Sequence, residues 1–139
     1  MLFVGAFERQ HDDKGRLALP ATIRNHQGEH CYLAKGPDKS VTVVPAATFE
    51  AEAAEMTARV RAGEVSRNEL RALAGSAVLV ALDKQGRVLV DEQLRTYAEL
   101  HTEGPVMVAG SFDRLEVWSP DRFARVSDAG TESMAGADE

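Results

Sequence analysis

The chain carries the same turn twice. Asp12-Asp13-Lys14-Gly15-Arg16-Leu17 and Asp83-Lys84-Gln85-Gly86-Arg87-Val88 place Asp, Gly and Arg at one offset of 71 residues. Arg24 and Arg95 keep that offset. Further on, Gly36 answers Gly110, Val41-Thr42-Val43-Val44 answers Leu115-Glu116-Val117-Trp118, and Phe49 answers Phe123, now at an offset of 74. Roughly three residues have therefore been inserted between the two blocks, a change that loops tolerate. Two copies of one unit result, at 5–49 and 77–123. Each is small for independent folding, so the two are expected to share one core within the 139 residues.

Asp at the first position and Gly at the fourth fit a type I turn, with Gly supplying the positive φ that closes a bulged hairpin. Arg16-Leu17-Ala18-Leu19 leaves the first turn as a strand. Pro20 ends it and can open a short helix over 21–25. Residues 1–5 read as an edge strand, and 6–11 as the strand entering the turn. Strands over 31–35 and 41–44 flank the turn formers Gly36-Pro37-Asp38-Lys39. Pro45 then starts the longest helix, with Phe49, Ala53, Met56 and Val60 on one face and Gly63 as its stop. Ser66-Arg67-Asn68-Glu69 is a capping box that opens a second helix. This helical hairpin, 45–74, makes 50–76 the linker between the units.

The second unit repeats the plan. A strand at 77–82 leads to the second turn, and a helix follows at 91–100 with Leu94, Tyr97 and Ala98 inward. Strands at 106–110 and 115–118 precede Ser119, which caps a short last helix opened by Pro120. Residues 127–139 form an acidic tail with little to bury, for which disorder is predicted. The fold class is mixed α/β, mainly β with short helices.

Composition narrows the function. The hydrophobic fraction of 44% is that of a globular chain, and no apolar run reaches the ~18 residues of a membrane helix. Met1-Leu2-Phe3-Val4 has no basic n-region, so no signal peptide is expected. The single Cys31 excludes an internal disulfide and suits a reducing cytoplasm. His26, His30 and Cys31 are the nearest approach to a metal site, but Gly28 spoils helical spacing and no second thiol is present. Cys31 reads better as a small buried hydrophobe. His11 beside Asp12 could orient a base, yet no motif sets a nucleophile against it, and phosphate-cradling loops are absent. Neither an enzyme, a cofactor nor a small-molecule substrate is expected.

Charge points elsewhere. The net charge of −6 argues against indiscriminate nucleic-acid binding by the whole surface. Between Arg9 and Arg24, however, Arg9, Lys14, Arg16 and Arg24 outnumber Asp12 and Asp13, so the first hairpin is locally basic. Arg16 and Arg87 follow tight turns, which hold a planar fork suited to phosphate or a guanine edge. Lys14 and Lys84 add point charges on the same tips, and Arg9 and Arg24 could widen the face. The ordinary alternative is a solvated charged turn.

Paired Asp-x-x-Gly-Arg hairpins, each trailed by a short helix and a strand pair, resemble the MraZ family. Asp12-Asp13-Lys14-Gly15-Arg16-Leu17 with Leu19-Pro20-Ala21 and Arg24 is similar to the first family motif. Asp83-Lys84-Gln85-Gly86-Arg87-Val88 with Leu94-Arg95 and Tyr97-Ala98 is similar to the second, and Glu116-Val117-Trp118 to a family strand. Two departures stand out. Asp91 occupies the place of Pro20 in the second copy, and Phe49 follows Val43-Val44-Pro45 where the family has a Trp after a Tyr-Pro strand. The resemblance implies two AbrB/SpoVT-type swapped-hairpin units related by a pseudo-twofold and joined by a helical hairpin. It also implies a cytoplasmic, nucleoid-associated regulator that binds double-stranded DNA. Its expected targets are G-rich direct repeats upstream of the division and cell-wall genes, bound by a homo-oligomeric ring. An AbrB-type antitoxin or DNA-binding adaptor, or an oligomeric scaffold without DNA binding, are the alternatives.

Overall fold

The computed structural model describes residues 2–20, 30–101 and 104–136. The first unit supplies β1 (Ala6–Gln10), β2 (Arg16–Ala18), β3 (His30–Lys35) and β4 (Val41–Pro45). The second supplies β5 (Val78–Ala81), β6 (Arg87–Leu89), β7 (Pro105–Gly110) and β8 (Leu115–Trp118). The described helices are α1 (Ala46–Arg61), α2 (Arg67–Ser76), α3 (Glu92–Ala98) and α4 (Pro120–Ala135). The fold is mixed α/β, as the periodicity predicts.

Six strands form one antiparallel sheet in the order β1-β7-β8-β4-β3-β5, while β2 and β6 pair separately. The units exchange their first strands. β1 pairs with β7 of the second unit, and β5 pairs with β3 of the first. The edges of the sheet, β1 and β5, are therefore the strands that run into the two Asp-Gly-Arg turns.

The repeat is also written in the register. On β4 and β8, Thr42 opposes Glu116; on β2 and β6, Leu17 opposes Val88. Both are pairs of repeat-equivalent residues. Such residues meet face to face only where a twofold axis runs between them, so the pseudo-twofold crosses both ladders.

The core belongs to both units. Leu17, Leu33, Val41 and Val43 are fully buried, as are Val88, Leu94, Val106 and Val117. Side chains of this kind contribute about 1.5–3 kcal/mol each on burial. Cys31 sits in β3 with no exposure, and burial pushes its thiol up to about 12. It is the inert small hydrophobe its sequence context suggests. Gly110 admits the chain's first residues: a Cβ there would lie 2.4 Å from the backbone of Phe3. Phe3 makes an isolated bridge to Phe112, whereas the edge ladder begins only at Ala6.

The caps follow the chemistry read from the chain. Ser66 Oγ accepts from the Glu69 N–H at 3.1 Å and opens α2. Asp91, which replaces the proline of the first copy, accepts from the Leu94 N–H at 2.8 Å. That substitution exchanges one helix opener for another. On α3, Leu94 and Ala98 are buried, and the Tyr97 hydroxyl donates to the Gly36 carbonyl of the other unit at 2.6 Å. The first-unit helix expected over 21–25 lies outside the described residues.

One expectation is overturned. Disorder is predicted from Ser127, yet α4 continues to Ala135. At 16 residues it matches α1, its repeat counterpart. Ser119 caps its start and Gly136 closes its end in a left-handed conformation. Residues 127–135 are exposed throughout, as a segment with little to bury should be. A capped helix satisfies its own backbone without needing a core contact. α1 likewise has no fully buried residue. Its Phe49 stacks on Tyr32 with ring centroids 4.5 Å apart, and its Phe49, Ala53 and Met56 share an apolar groove with Leu70 and Leu73 of α2.

Two outcomes are expected. His11 is buried where the second unit has Leu82, and that burial lowers its pKa from the ordinary 6.5. The backbone of His101 and the charge of Asp12 oppose the shift, whereas Arg95 adds to it. A histidine whose folded-state pKa is depressed stabilises above its unfolded value and loses that contribution as pH falls. Thermal melts should therefore show stability dropping below about pH 6.5, and His11→Leu should remove that part of the drop. Ending the chain after Val126 should cost helical circular dichroism while moving the melting temperature little, because 127–135 touches no core.

Candidate nucleic-acid interface

An aspartate carboxylate is short enough to bond its own backbone a few residues on, and here it does so identically twice. In the first turn, Asp12 Oδ1 accepts from the N–H groups of Lys14 and Arg16, each at 2.9 Å. In the second, Asp83 Oδ1 accepts from those of Gln85 and Arg87, each at 2.9 Å. The glycines take φ of 79° at Gly15 and 74° at Gly86, which a residue with a Cβ adopts only with strain. The Gly15 N–H closes the turn onto the Asp12 carbonyl at 3.1 Å, and Gly86 repeats this on Asp83 at 2.9 Å.

The other carboxylate oxygen holds the arginine. Arg16 Nε donates to Asp12 Oδ2 at 2.7 Å, and Arg87 Nε donates to Asp83 Oδ2 at 2.8 Å. The backbone N–H of Arg16 is the main influence lowering the Asp12 pKa, and that of Arg87 does the same for Asp83. Anchoring through Nε leaves the Nη groups, the edge that meets phosphate or guanine, outside that bond. Arg16 has no hydrogen bond from its Nη groups among the described residues and keeps 34% of its side chain exposed.

Pairing of β2 with β6 sets the two turns side by side. The Leu19 N–H donates to the Gly86 carbonyl at 3.0 Å, and the Val90 N–H to the Gly15 carbonyl at 3.2 Å. Each strand is thus tied to the glycine of the opposite turn. An ion pair also crosses between units, with Arg87 Nη1 at 3.5 Å from Asp12 Oδ2. Lys14 and Lys84 are exposed on their turns.

Not every expected residue joins this cluster. Arg9 lies in β1 rather than on the turn, where it is half-buried, donates to the Glu8 carbonyl at 3.0 Å and sits 5.4 Å from the Phe7 ring centroid. Arg24 lies outside the described residues. Conversely, Arg95, outside the expected set, reaches the first turn. A Cβ on Gly15 would lie 2.6 Å from its Nη1, which donates to the Val90 carbonyl. Arg95 shares an offset with Arg24, and that was the signal available for it. The anchoring role of Asp12 and Asp83 also lies outside the sequence expectations, although the four-residue Asp-to-Arg spacing recurs in both units.

Among the described residues there is no cluster of three potential metal ligands, and no helix is long and apolar enough to cross a membrane.

Comparison with known proteins matches this arrangement to one family. A family model described as MraZ protein, antitoxin-like, fits twice, over residues 2–70 and 73–139, one match per unit. A protein of Corynebacterium jeikeium named Transcriptional regulator MraZ is 37% identical over 138 residues, covering 99% of this chain and 95% of that relative. Relatives of the same name are 36% identical in Cutibacterium acnes, over 96% of this chain and 93% of the relative, and 36% identical in a Nocardioides species, over 100% and 95%. The family is one of transcriptional regulators rather than enzymes. With both repeats matched and identity sustained along the full length, the chain belongs to the MraZ family.

Proposed function

We propose that this chain is a transcriptional regulator that binds double-stranded DNA through the paired turns. One observation carries the reading. Two Asp-anchored arginines stand on adjacent hairpins braced by β2–β6, with an exposed lysine on each tip. Rigid forks flanked by point charges suit a duplex, with lysines on phosphate and arginines on phosphate or base edges. The names of the relatives agree with this role. An overall charge of −6 opposes nonspecific attraction, which makes the reading one of specific contact by a small basic site.

The finer proposal follows from the resemblance: G-rich direct repeats ahead of the division and cell-wall genes, bound by an oligomer. One chain presents few cationic groups and should bind weakly. Several copies on tandem sites gain avidity because the later contacts become intramolecular.

A gel shift on the chain's own upstream region, run over a salt series, is the direct test. If Arg16 grips a base edge, Arg16→Ala should cost roughly 1–3 kcal/mol per engaged site and blur discrimination against random duplex. Contact with phosphate alone should instead weaken all sequences evenly and lower the salt slope by about one per lost contact. Arg87→Ala should cost less, since two carboxylates already claim that side chain. A folded Arg16→Ala that binds like wild type would remove the turn from the reading. Cutting the target from several repeats to one should weaken binding by more than about tenfold; equal affinity would speak against a multivalent assembly.

A further inference from the structure

The two turns are near copies, yet their ion pairs are not symmetric. Asp12 Oδ2 lies 2.7 Å from Arg16 Nε and 3.5 Å from Arg87 Nη1. Asp83 engages only Arg87, at 2.8 Å, and makes no ion pair with Arg16 among the described residues. Arg87 is accordingly the more enclosed arginine, with 25% of its side chain exposed against 34% for Arg16. Two guanidinium groups on one face repel each other, and a carboxylate bonded to one and within reach of the other relieves that repulsion. A repeat copied without divergence would have produced two such bridges or none.

We propose that Asp12 is the shared positioning residue of this surface, setting Arg16 directly and steadying Arg87 across the unit boundary. The proposal rests on the DNA-binding reading above. Asp12 orients the cations and itself makes no contact with DNA. Asp83 acts locally, on Arg87 alone. The consequence for binding has an unusual sign. Removing a negative charge beside a DNA-facing arginine should tighten binding if charge alone mattered. Loss of a positioning carboxylate should instead weaken specific binding while sparing or improving the nonspecific kind.

Asp12→Asn and Asp83→Asn in the full chain provide the test. Asparagine keeps the Oδ1 acceptor that closes the turn, but its amide cannot accept from the arginine Nε. The free protein is examined first, by following the arginine Nε–Hε resonances. Asp12→Asn should move those of both Arg16 and Arg87, and Asp83→Asn that of Arg87 only. Binding to the chain's own upstream region is then compared with a random duplex at one salt concentration. Asp12→Asn should weaken the specific complex about tenfold or more and leave random binding equal or tighter, whereas Asp83→Asn should cost roughly threefold or less. Should Asp12→Asn fail to fold, Asp12→Ser retains a turn-capping oxygen without the carboxylate and carries the same expectations.

An unmoved Arg87 resonance in Asp12→Asn overturns the proposal. So does specific binding as tight as wild type, or an equal loss from Asp83→Asn. Arg16→Ala separates this failure from that of the DNA-binding reading. If Arg16→Ala also binds normally, the surface does not read DNA. If it loses binding while Asp12→Asn does not, only the positioning role of Asp12 falls.

Discussion

Everything in this molecule depends on the exchange of first strands between the units. β1 finds its backbone partners on β7, and β5 finds its partners on β3. An isolated unit would leave a ladder of N–H and C=O groups unpaired and expose half of a core that Leu17 and Val88 close together. The exchange also decides where the turns go. Both exchanged strands are sheet edges and both run directly into an Asp-Gly-Arg turn, so the two turns meet through β2 and β6. The strand exchange that completes the core therefore also sets the two turns side by side.

The site is built by compensation rather than by accumulation of positive charge. Each arginine is balanced by the aspartate that also closes its turn. Such pairs are partly exposed and contribute little to stability. Their effect is geometric, since a guanidinium bonded through Nε has lost most of its rotamer freedom before any ligand arrives. In a chain of net charge −6, the overall charge supplies no long-range attraction for a polyanion.

Divergence between the copies is informative where backbone and residue disagree. The turns of the two strand pairs differ in length, with five residues between Lys35 and Val41 against four between Gly110 and Leu115, and they hold Asp38 and Phe112 at φ of 57° and 63°. Aspartate tolerates that conformation, whereas a bulky aromatic does not favour it. Phe112 is nevertheless held there by a reciprocal pair of bonds: its carbonyl accepts from the Phe3 N–H at 2.8 Å, and its N–H donates to the Phe3 carbonyl at 3.0 Å. His11 and Leu82 are repeat-equivalent, with a titratable ring at a position the other unit fills with a hydrocarbon.

The sequence by itself determined the repeat, the two turns, the order of strands and helices, and the arginines as binding candidates. These depend on local chemistry: the positive φ at Gly15 and Gly86, the cap at Ser66, the alternation within Val41-Thr42-Val43-Val44. Only the tertiary structure decided which unit each strand joins, because a strand's pattern records that one face is buried and not whose backbone lies beside it. It also decided that Asp12 reaches Arg87, that Arg95 covers Gly15, and that Arg9 stands off the turn. The extent of α4 lies between these cases. Its composition offers nothing to bury from Ser127 on, yet the helix runs to Ala135, the length of its repeat partner α1. The segment lies inside a helix closed at both ends, by Ser119 and by Gly136, and hydropathy and charge do not record such end caps.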